Sequence, residues 1–504
     1  MDSRAAWAAH GFSGEAEELI ALRTLPRAWV GSWRVTPSAP ILFDAATGWL
    51  CAAQADSRSA VVAWRFSAFG LRTGDRVLMS CQPSVDLVIA HIAALRLGLV
   101  VVPANTAFAS EELANVIEES GSRLAVLDDP TRQDRIPSVG PAVDLADGIA
   151  PALDQAGADD PAMLVFTSGT TGRPKGALLS HGNLLASAEA LVRAWDWTPR
   201  DRLILSLPLF HMHGLGVGVH GTLLAGASAV IVAKFSPDAI LDAIAEHDAT
   251  MFFGVPTMYV RLLESDRVCE LGSLRLCVSG SAPLAAAVWE RLETLSGQRV
   301  VERYGMSETV MLVSNPVAGV RRPGSVGLAL PGVELRLATA GDGDGVIDGA
   351  GEIEVAGPNV FAGYWGRPEA NAEAFTPDGW FRTGDLGQFD PVGYLRIVGR
   401  SKDLIITGGF NVYPRDIEDV MRAHPSVIDV AVVGEPSAEW GETVTACLVA
   451  VDGADVDDLF ALAATHLAGY QRPRRIVFVD ELPRNALGKV VKTKLVEQIR
   501  RTTG

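Results

Sequence analysis

Residues Met163–Gly176 read MLVFTSGTTGRPKG: four apolar residues, then a loop holding three glycines, four hydroxyl side chains and two cations. So short an apolar run, closed by a glycine-rich turn, fits a buried strand. Gly169, Gly172 and Gly176 expose backbone N–H groups, and the hydroxyls of Thr167, Ser168, Thr170 and Thr171 add donors, so the loop can form an anion nest. Lys175 supplies the charge that a polyphosphate needs. The loop is no Walker A motif, which requires G-x-x-x-x-G-K-[ST]; here Lys175 follows Pro174 and precedes Gly176. Taken alone, the same residues also fit a flexible surface loop.

Working outward, the strand sits in a regular alternation. RVLMSC, LVVVP and LAVLDD are interleaved with an amphipathic helix predicted over Ser84–Leu97 and the helical SEELANVIEES. DRLILSLP, SAVIVA, ATMFFGV and SLRLCVS continue the pattern, which implies parallel sheets with helices on both faces. Past Pro331 the texture turns β-rich, with VELRLA, GEIEVAG, GWFRTGDLGQFD and GYLRIVGR read as short strands. The turn GDGDGVIDG lacks the residues of a calcium loop and reads as a hairpin. After Arg400 a unit of about 100 residues has its own α+β pattern, a plausible size for a separate domain. Its first helix opens at Pro414 with Ile417, Val420 and Met421 on one face.

A chain of 504 residues exceeds one ordinary core. Its net charge of −17 argues against nucleic-acid and anionic-membrane partners. Cys51, Cys81, Cys269, Cys277 and Cys447 are scattered, which suggests neither disulfides nor zinc. The first residues lack a basic stretch followed by an apolar run, and Gly214–Ala233 reads as a buried strand–helix segment rather than a membrane span. A cytoplasmic protein is expected.

MLVFTSGTTGRPKG, ERYGMSE, RTGDLG, GRSKDLIITGGFNVYPRDIE and PRNALGK, in this order, resemble the acyl-adenylate-forming enzymes: acyl-CoA synthetases, luciferases and peptide-synthetase adenylation domains. The resemblance covers about residues 40 to 500. It implies an α/β fold, with an N-terminal domain (1–401) of two helix-flanked, mainly parallel sheets plus a small distorted β-barrel. A small mobile α+β C-terminal domain (402–504) would follow, hinged at Lys402. The implied reaction joins a carboxylate to the α-phosphate of ATP, releasing pyrophosphate, and then passes the acyl group to a thiol.

The resemblance also implies roles. Glu308, with Thr170, would hold Mg2+, and Thr309, Thr167, Ser168, Gly169, Thr171, Gly172 and Lys175 would meet phosphate. Ser281, Ala282, Pro283, Arg303, Tyr304, Gly305, Met306 and Ser307 would line the nucleotide site. Asp385 would accept both ribose hydroxyls, with Arg400 close by. Lys489 would reach the α-phosphate and the substrate carboxylate. Gly408, Gly409 and Phe410 would line the pantetheine tunnel of CoA, the acceptor expected because no carrier domain follows residue 504.

His211, Ser279 and Met306 would line the acyl pocket. GVPTMYVRLL, SGSAPL, ERYGMSETVM and GPNVFAGYW resemble the malonyl-CoA synthetase branch, where the arginine at the position of Arg261 holds a distal carboxylate. Malonate or methylmalonate is therefore the expected acid. The apolar MLVSNP after Thr309 leaves medium-chain, long-chain or aryl acids open. Luciferase-like oxidation also stays open, as does a non-catalytic nucleotide-binding role, although the joint presence of Lys489, Glu308 and Asp385 argues against the latter.

Overall fold

The computed structural model describes residues 24–167, 174–338, 349–437, 439–484 and 490–503. Five expected loop residues (Ser168, Gly169, Thr170, Thr171 and Gly172), most of the turn at 341–349, and Lys489 lie outside the described residues. The chain divides into two compact units: Met1–Leu335 with Val355–Phe381, and Arg336–Glu354 with Arg382–Gly504.

The first unit holds two sheets. In one, the strands Val301–Tyr304, Leu276–Ser279, Met251–Gly254, Arg202–Leu205, Ser228–Ile231 and Pro40–Asp44 run parallel side by side, with antiparallel strands at both edges. In the other, Pro161–Thr167, Val100–Pro103, Arg76–Ser80, Leu124–Leu127 and Ser138–Val139 are parallel, and Lys175–Ser180 pairs antiparallel with Pro161–Thr167. The interior strands are continuous apolar runs because helices cover both faces.

The helix expected over Ser84–Leu97 runs from Val85 to Leu97, with Ser84 Oγ accepting the Leu87 N–H at 3.2 Å. It is not amphipathic. VDLVIAHIAALRL is apolar around its whole circumference and all but one of its residues are buried, the pattern of a helix enclosed by other elements. Its Arg96 pairs with Asp56 at 2.7 Å and Asp154 at 3.2 Å. Its His91 stacks on His220, with their Nε2 atoms 2.8 Å apart.

Gly214–Ala233 folds as a π-helical stretch His213–Val219, a helix His220–Leu224 and the strand Ser228–Ile231, almost wholly buried. Its glycines permit close packing: a Cβ at Gly214 would overlap the Pro208 carbonyl. Among the described residues no helix is long and apolar enough to cross a membrane.

In the second unit, Glu334–Ala338, Ala350–Ala356, Phe381–Phe389 and Leu395–Arg400 form a four-stranded sheet. A second sheet joins Phe410–Val412, Ile405–Thr407, Gly441–Ala450, Val427–Ser437 and Arg475–Phe478. The helix Pro414–Arg422 buries Ile417 and Met421, and Val420 packs against the same core. Ala350, Leu386 and Val398 share an apolar cluster with Tyr413, so contacts group the four-stranded sheet with the C-terminal residues.

Candidate active site

In sheets of this type ligands bind beyond the carboxyl ends of the strands. Neighbouring strands of the larger sheet end at Gly254, Ser279 and Tyr304. Ser281, just past the second of these, has φ +69°, and its hydroxyl lies 3.3 Å from His213 Nδ1. Behind this turn lies Arg303, 6% exposed, whose Nε and Nη2 have no hydrogen-bond partner among the described residues. Gly280 makes room for it, since a Cβ there would overlap the guanidinium. Burial pulls Arg303 down to about 9.

The neighbouring histidines are held neutral. Burial, and then the Arg303 charge, lowers His211 to about 4 and His213 well below its ordinary value. The Ser279 hydroxyl, His213 Nε2 and the Thr309 hydroxyl are also buried without partners among the described residues. Leaving such groups unsatisfied is costly, so a polar guest that pairs with them would be favoured.

Glu308 is 5% exposed and accepts a hydrogen bond from the Tyr364 hydroxyl at 3.0 Å. Burial and the Glu308 charge push that phenol above its ordinary range. Lys175 Nζ stands 5.3 Å from the centre of the Tyr364 ring. The hairpin root pairs Thr167 with Lys175, and the Thr167 hydroxyl donates to the Lys175 carbonyl at 3.3 Å. One aromatic ring therefore connects the root of the glycine-rich loop to the carboxylate expected to hold metal. A buried carboxylate in this position suits a hard cation.

In the second unit, Asp385 and Arg400 face each other across an antiparallel pair and form a 3.0 Å ion pair. A carboxylate has about four acceptor sites, so this pairing is compatible with ribose hydroxyls as further donors. Lys402 lies in the turn Ser401–Asp403; burial and then Arg400 lower its ammonium. Gly408 and Gly409 take φ +56° and +83°. A Cβ on Gly408 would press on the Trp440 ring, which in turn carries the Arg474 guanidinium at 4.0 Å. Phe410, 54% exposed, stacks on Tyr470.

Arg261 does not occupy the position expected for it. Pro256 opens the helix Pro256–Leu263 as anticipated, but Arg261 is exposed in the last turn with its guanidinium 5.1 Å over the Phe235 ring. Arg303, expected to line the nucleotide, is the buried arginine of the strand Val301–Tyr304. Tyr364, Trp440 and Arg474 have no role in the sequence reading; the only signal for Tyr364 was its place in GPNVFAGYW.

The AMP-binding enzyme model matches residues 31–365, and the model of the AMP-binding enzyme C-terminal domain matches residues 416–489. The chain belongs to the AMP-binding enzyme family. It is similar to a feruloyl-CoA synthase of Amycolatopsis sp, 37% identical over 92% of this chain and 97% of the relative. It is similarly close to a mitochondrial malonate–CoA ligase of Mus musculus, 36% identical over 85% and 83% of the two chains. Among solved structures, ATP-bound MatB from Rhodopseudomonas palustris superposes with a TM-score of 0.88 at 40% identity, covering 95% of this chain and all of that one. O-succinylbenzoate CoA synthetase from Bacillus subtilis, in complex with ATP and magnesium, gives 0.85 at 30% identity, covering 93% and 99%. This AMP-binding enzyme is an AMP-forming acyl-CoA synthetase acting with ATP, Mg2+ and CoA.

Proposed function

We propose that this AMP-binding enzyme joins a short dicarboxylate, malonate or methylmalonate, to CoA. The observation that carries the reading is Arg303. A guanidinium buried without an acceptor is unfavourable, and a distal carboxylate would satisfy its Nε and Nη2 in the two-pronged geometry that arginine favours. The neutral His211 and His213, with Ser279 and Met306, wall the same pocket.

In the reaction, one carboxylate of the acid attacks the α-phosphorus and the bond to pyrophosphate breaks. The thiol of CoA then attacks the acyl carbon, AMP leaves, and the thiol proton passes to solvent. Lys489 meets the charge that grows on the α-phosphate, while Lys175 and the 167–172 loop receive the departing pyrophosphate. Glu308, fixed by Tyr364 and aided by Thr170, holds Mg2+, which supplies charge neutralisation at the phosphates. Thr309 contacts phosphate. Ser281, Ala282, Pro283, Tyr304, Gly305 and Ser307 line the nucleotide, Asp385 takes the ribose hydroxyls, and Arg400 stands beside it. Gly408, Gly409 and Phe410, with Trp440 and Arg474 behind them, receive the CoA arm. Rotation about Lys402 exchanges the two half-reactions.

A panel of malonate, methylmalonate, acetate, octanoate and ferulate, scored by AMP release, tests the reading. Malonate should lead the panel, and Arg261→Ala should keep its order. Ferulate is the second reading, favoured by the feruloyl-CoA synthase relatives; ferulate or octanoate turning over faster than malonate would sink the dicarboxylate assignment. Lys489→Ala should slow adenylation roughly 10²–10³-fold yet spare thioester formation from supplied acyl-AMP. Equal loss in both half-reactions would contradict the role given to Lys489.

A further inference from the structure

Asn359, in the segment Gly357–Trp365, is 2% exposed and has no part in the reading above. Its Nδ2 donates to the Thr309 carbonyl at 3.0 Å and to the Met311 carbonyl at 2.8 Å. These two carbonyls flank Val310, which has φ +57°. The Met311 N–H also donates to the Thr309 carbonyl at 2.7 Å, so Val310 is the centre of a tight three-residue turn of a rare, strained kind. A β-branched residue at positive φ is an outlier, and such outliers persist only where their surroundings over-determine them.

The surroundings supply that constraint. A Cβ at Gly305 would overlap the Val310 carbonyl, and one at Gly216 would come within 3.1 Å of Val310 Cγ1. The Phe361 N–H donates to the Glu308 carbonyl at 2.9 Å. Asn183 then holds the clamp itself, donating from Nδ2 to the Pro358 carbonyl at 2.8 Å and the Val360 carbonyl at 2.9 Å. Two amide side chains in series therefore connect the helix His181–Ala194 to the strained turn, and the turn directly follows Glu308 and Thr309.

We infer that Asn359 is a positioning residue for the ligase reaction: it locks the Val310 turn and so fixes the Glu308 carboxylate and Thr309 hydroxyl for adenylation. The inference rests on the proposed roles of Glu308 and Thr309. Without the clamp, Val310 relaxes toward negative φ and its two predecessors shift; displacements of about 1 Å in positioning groups can cost roughly 10²-fold in rate.

The test uses the full-length enzyme and separates the half-reactions. Asn359→Ser keeps one donor on a shorter side chain, whereas Asn359→Gln keeps both N–H donors. For Asn359→Ser, ATP–pyrophosphate exchange should fall roughly 10- to 10²-fold and half-saturation by Mg2+ should move to higher concentration. Thioester formation from supplied acyl-AMP should stay within about twofold, and Asn359→Gln should recover most of the exchange. A parallel fall in both half-reactions, or unchanged exchange in Asn359→Ser, overturns the positioning role. Glu308→Gln is the control. If that variant exchanges at the wild-type rate, the inference fails because Glu308 is not in the chemistry; if it is inactive while Asn359→Ser is unaffected, only the clamp fails. Thermal melts identify folded variants; if Asn359→Ser melts below assay temperature, both half-reactions are measured below its melting point, with parallel loss or unchanged exchange again overturning the proposal.

Discussion

Replacing Arg303 by methionine should lower kcat/KM for malonate about 10³-fold, and the variant should melt at a higher temperature than the parent. Both effects come from one buried charge. Removing one member of a buried, hydrogen-bonded charge pair costs about 2–5 kcal/mol, which at 1.36 kcal/mol per decade spans roughly 30- to several-thousand-fold. Among the described residues the same guanidinium has no acceptor for Nε or Nη2, so an apolar side chain of similar length relieves a standing desolvation penalty, by about 1–4 kcal/mol by analogy with replaced buried ion pairs. Activity on octanoate should change far less than activity on malonate. A merely structural arginine would give the opposite pattern, with lower stability and uniform losses across acids; calorimetry and the acid panel distinguish the two.

A second large effect is expected in acid. His91, His181, His213 and His220 are buried, and burial is the first cause holding each in its neutral form, His91 near 3 and His181 near 4. His91 and His220 share one hydrogen bond between Nε2 atoms, which requires one donor and one acceptor; protonating either ring leaves two donors facing each other. Around them, Trp29 stands over His220, and His181 sees both Asp160 and Arg27. Each histidine has a folded pKa below its unfolded value, so its stability contribution is intact above about 6.5 and is lost as pH falls from there toward the folded value. While all four bind protons only on unfolding, stability should fall by about 5 kcal/mol per pH unit. Against a typical total of about 5–15 kcal/mol, cooperative unfolding is expected between about pH 3.5 and 5.5, as pH is lowered in near-UV circular dichroism. A His91→Leu/His220→Leu double variant should have a shallower slope. Stability that stays flat from pH 7 to 5 would refute this account.

The fold was largely legible because its signals are local. Each interior strand, such as LVVVP or LAVLDD, is a short apolar run bounded by polar or turn residues, and alternation with helices leaves few topologies. The circumference of Val85–Leu97 was misjudged because a few polar residues, including His91 and Arg96, imitate a wet face; both are buried, Arg96 through its carboxylate pairs and His91 against His220. Thr167 and Lys175 meet at the root of one hairpin, as their nearness in sequence suggests, and the Tyr364 ring stands between Lys175 and Glu308. The site was not legible where chemistry depends on which way a side chain points. The sequence reading gives Arg261 to the acid and Arg303 to the nucleotide, with no view of their side-chain directions; the helix phase set by Pro256 puts Arg261 over Phe235, and the missing Cβ of Gly280 leaves room for the Arg303 guanidinium. His91, His181 and His220 lie far apart in the chain, and only the packing of their helices brings them into one electrostatic neighbourhood.

The two compact units are covalently interlaced. The polypeptide leaves the first unit after Leu335, re-enters it at Val355 and leaves again after Phe381. Neither body can therefore be excised with a single cut. A gene fragment stopping at residue 401 would retain the four-stranded sheet but delete Tyr413, which closes that sheet's apolar cluster, and would shed greasy surface into solvent. A fragment beginning at 402 would lose the sheet altogether. Isolating either half for biophysics calls for reconnecting the chain, with a short linker bridging 335 to 355 in one piece and 354 to 382 in the other.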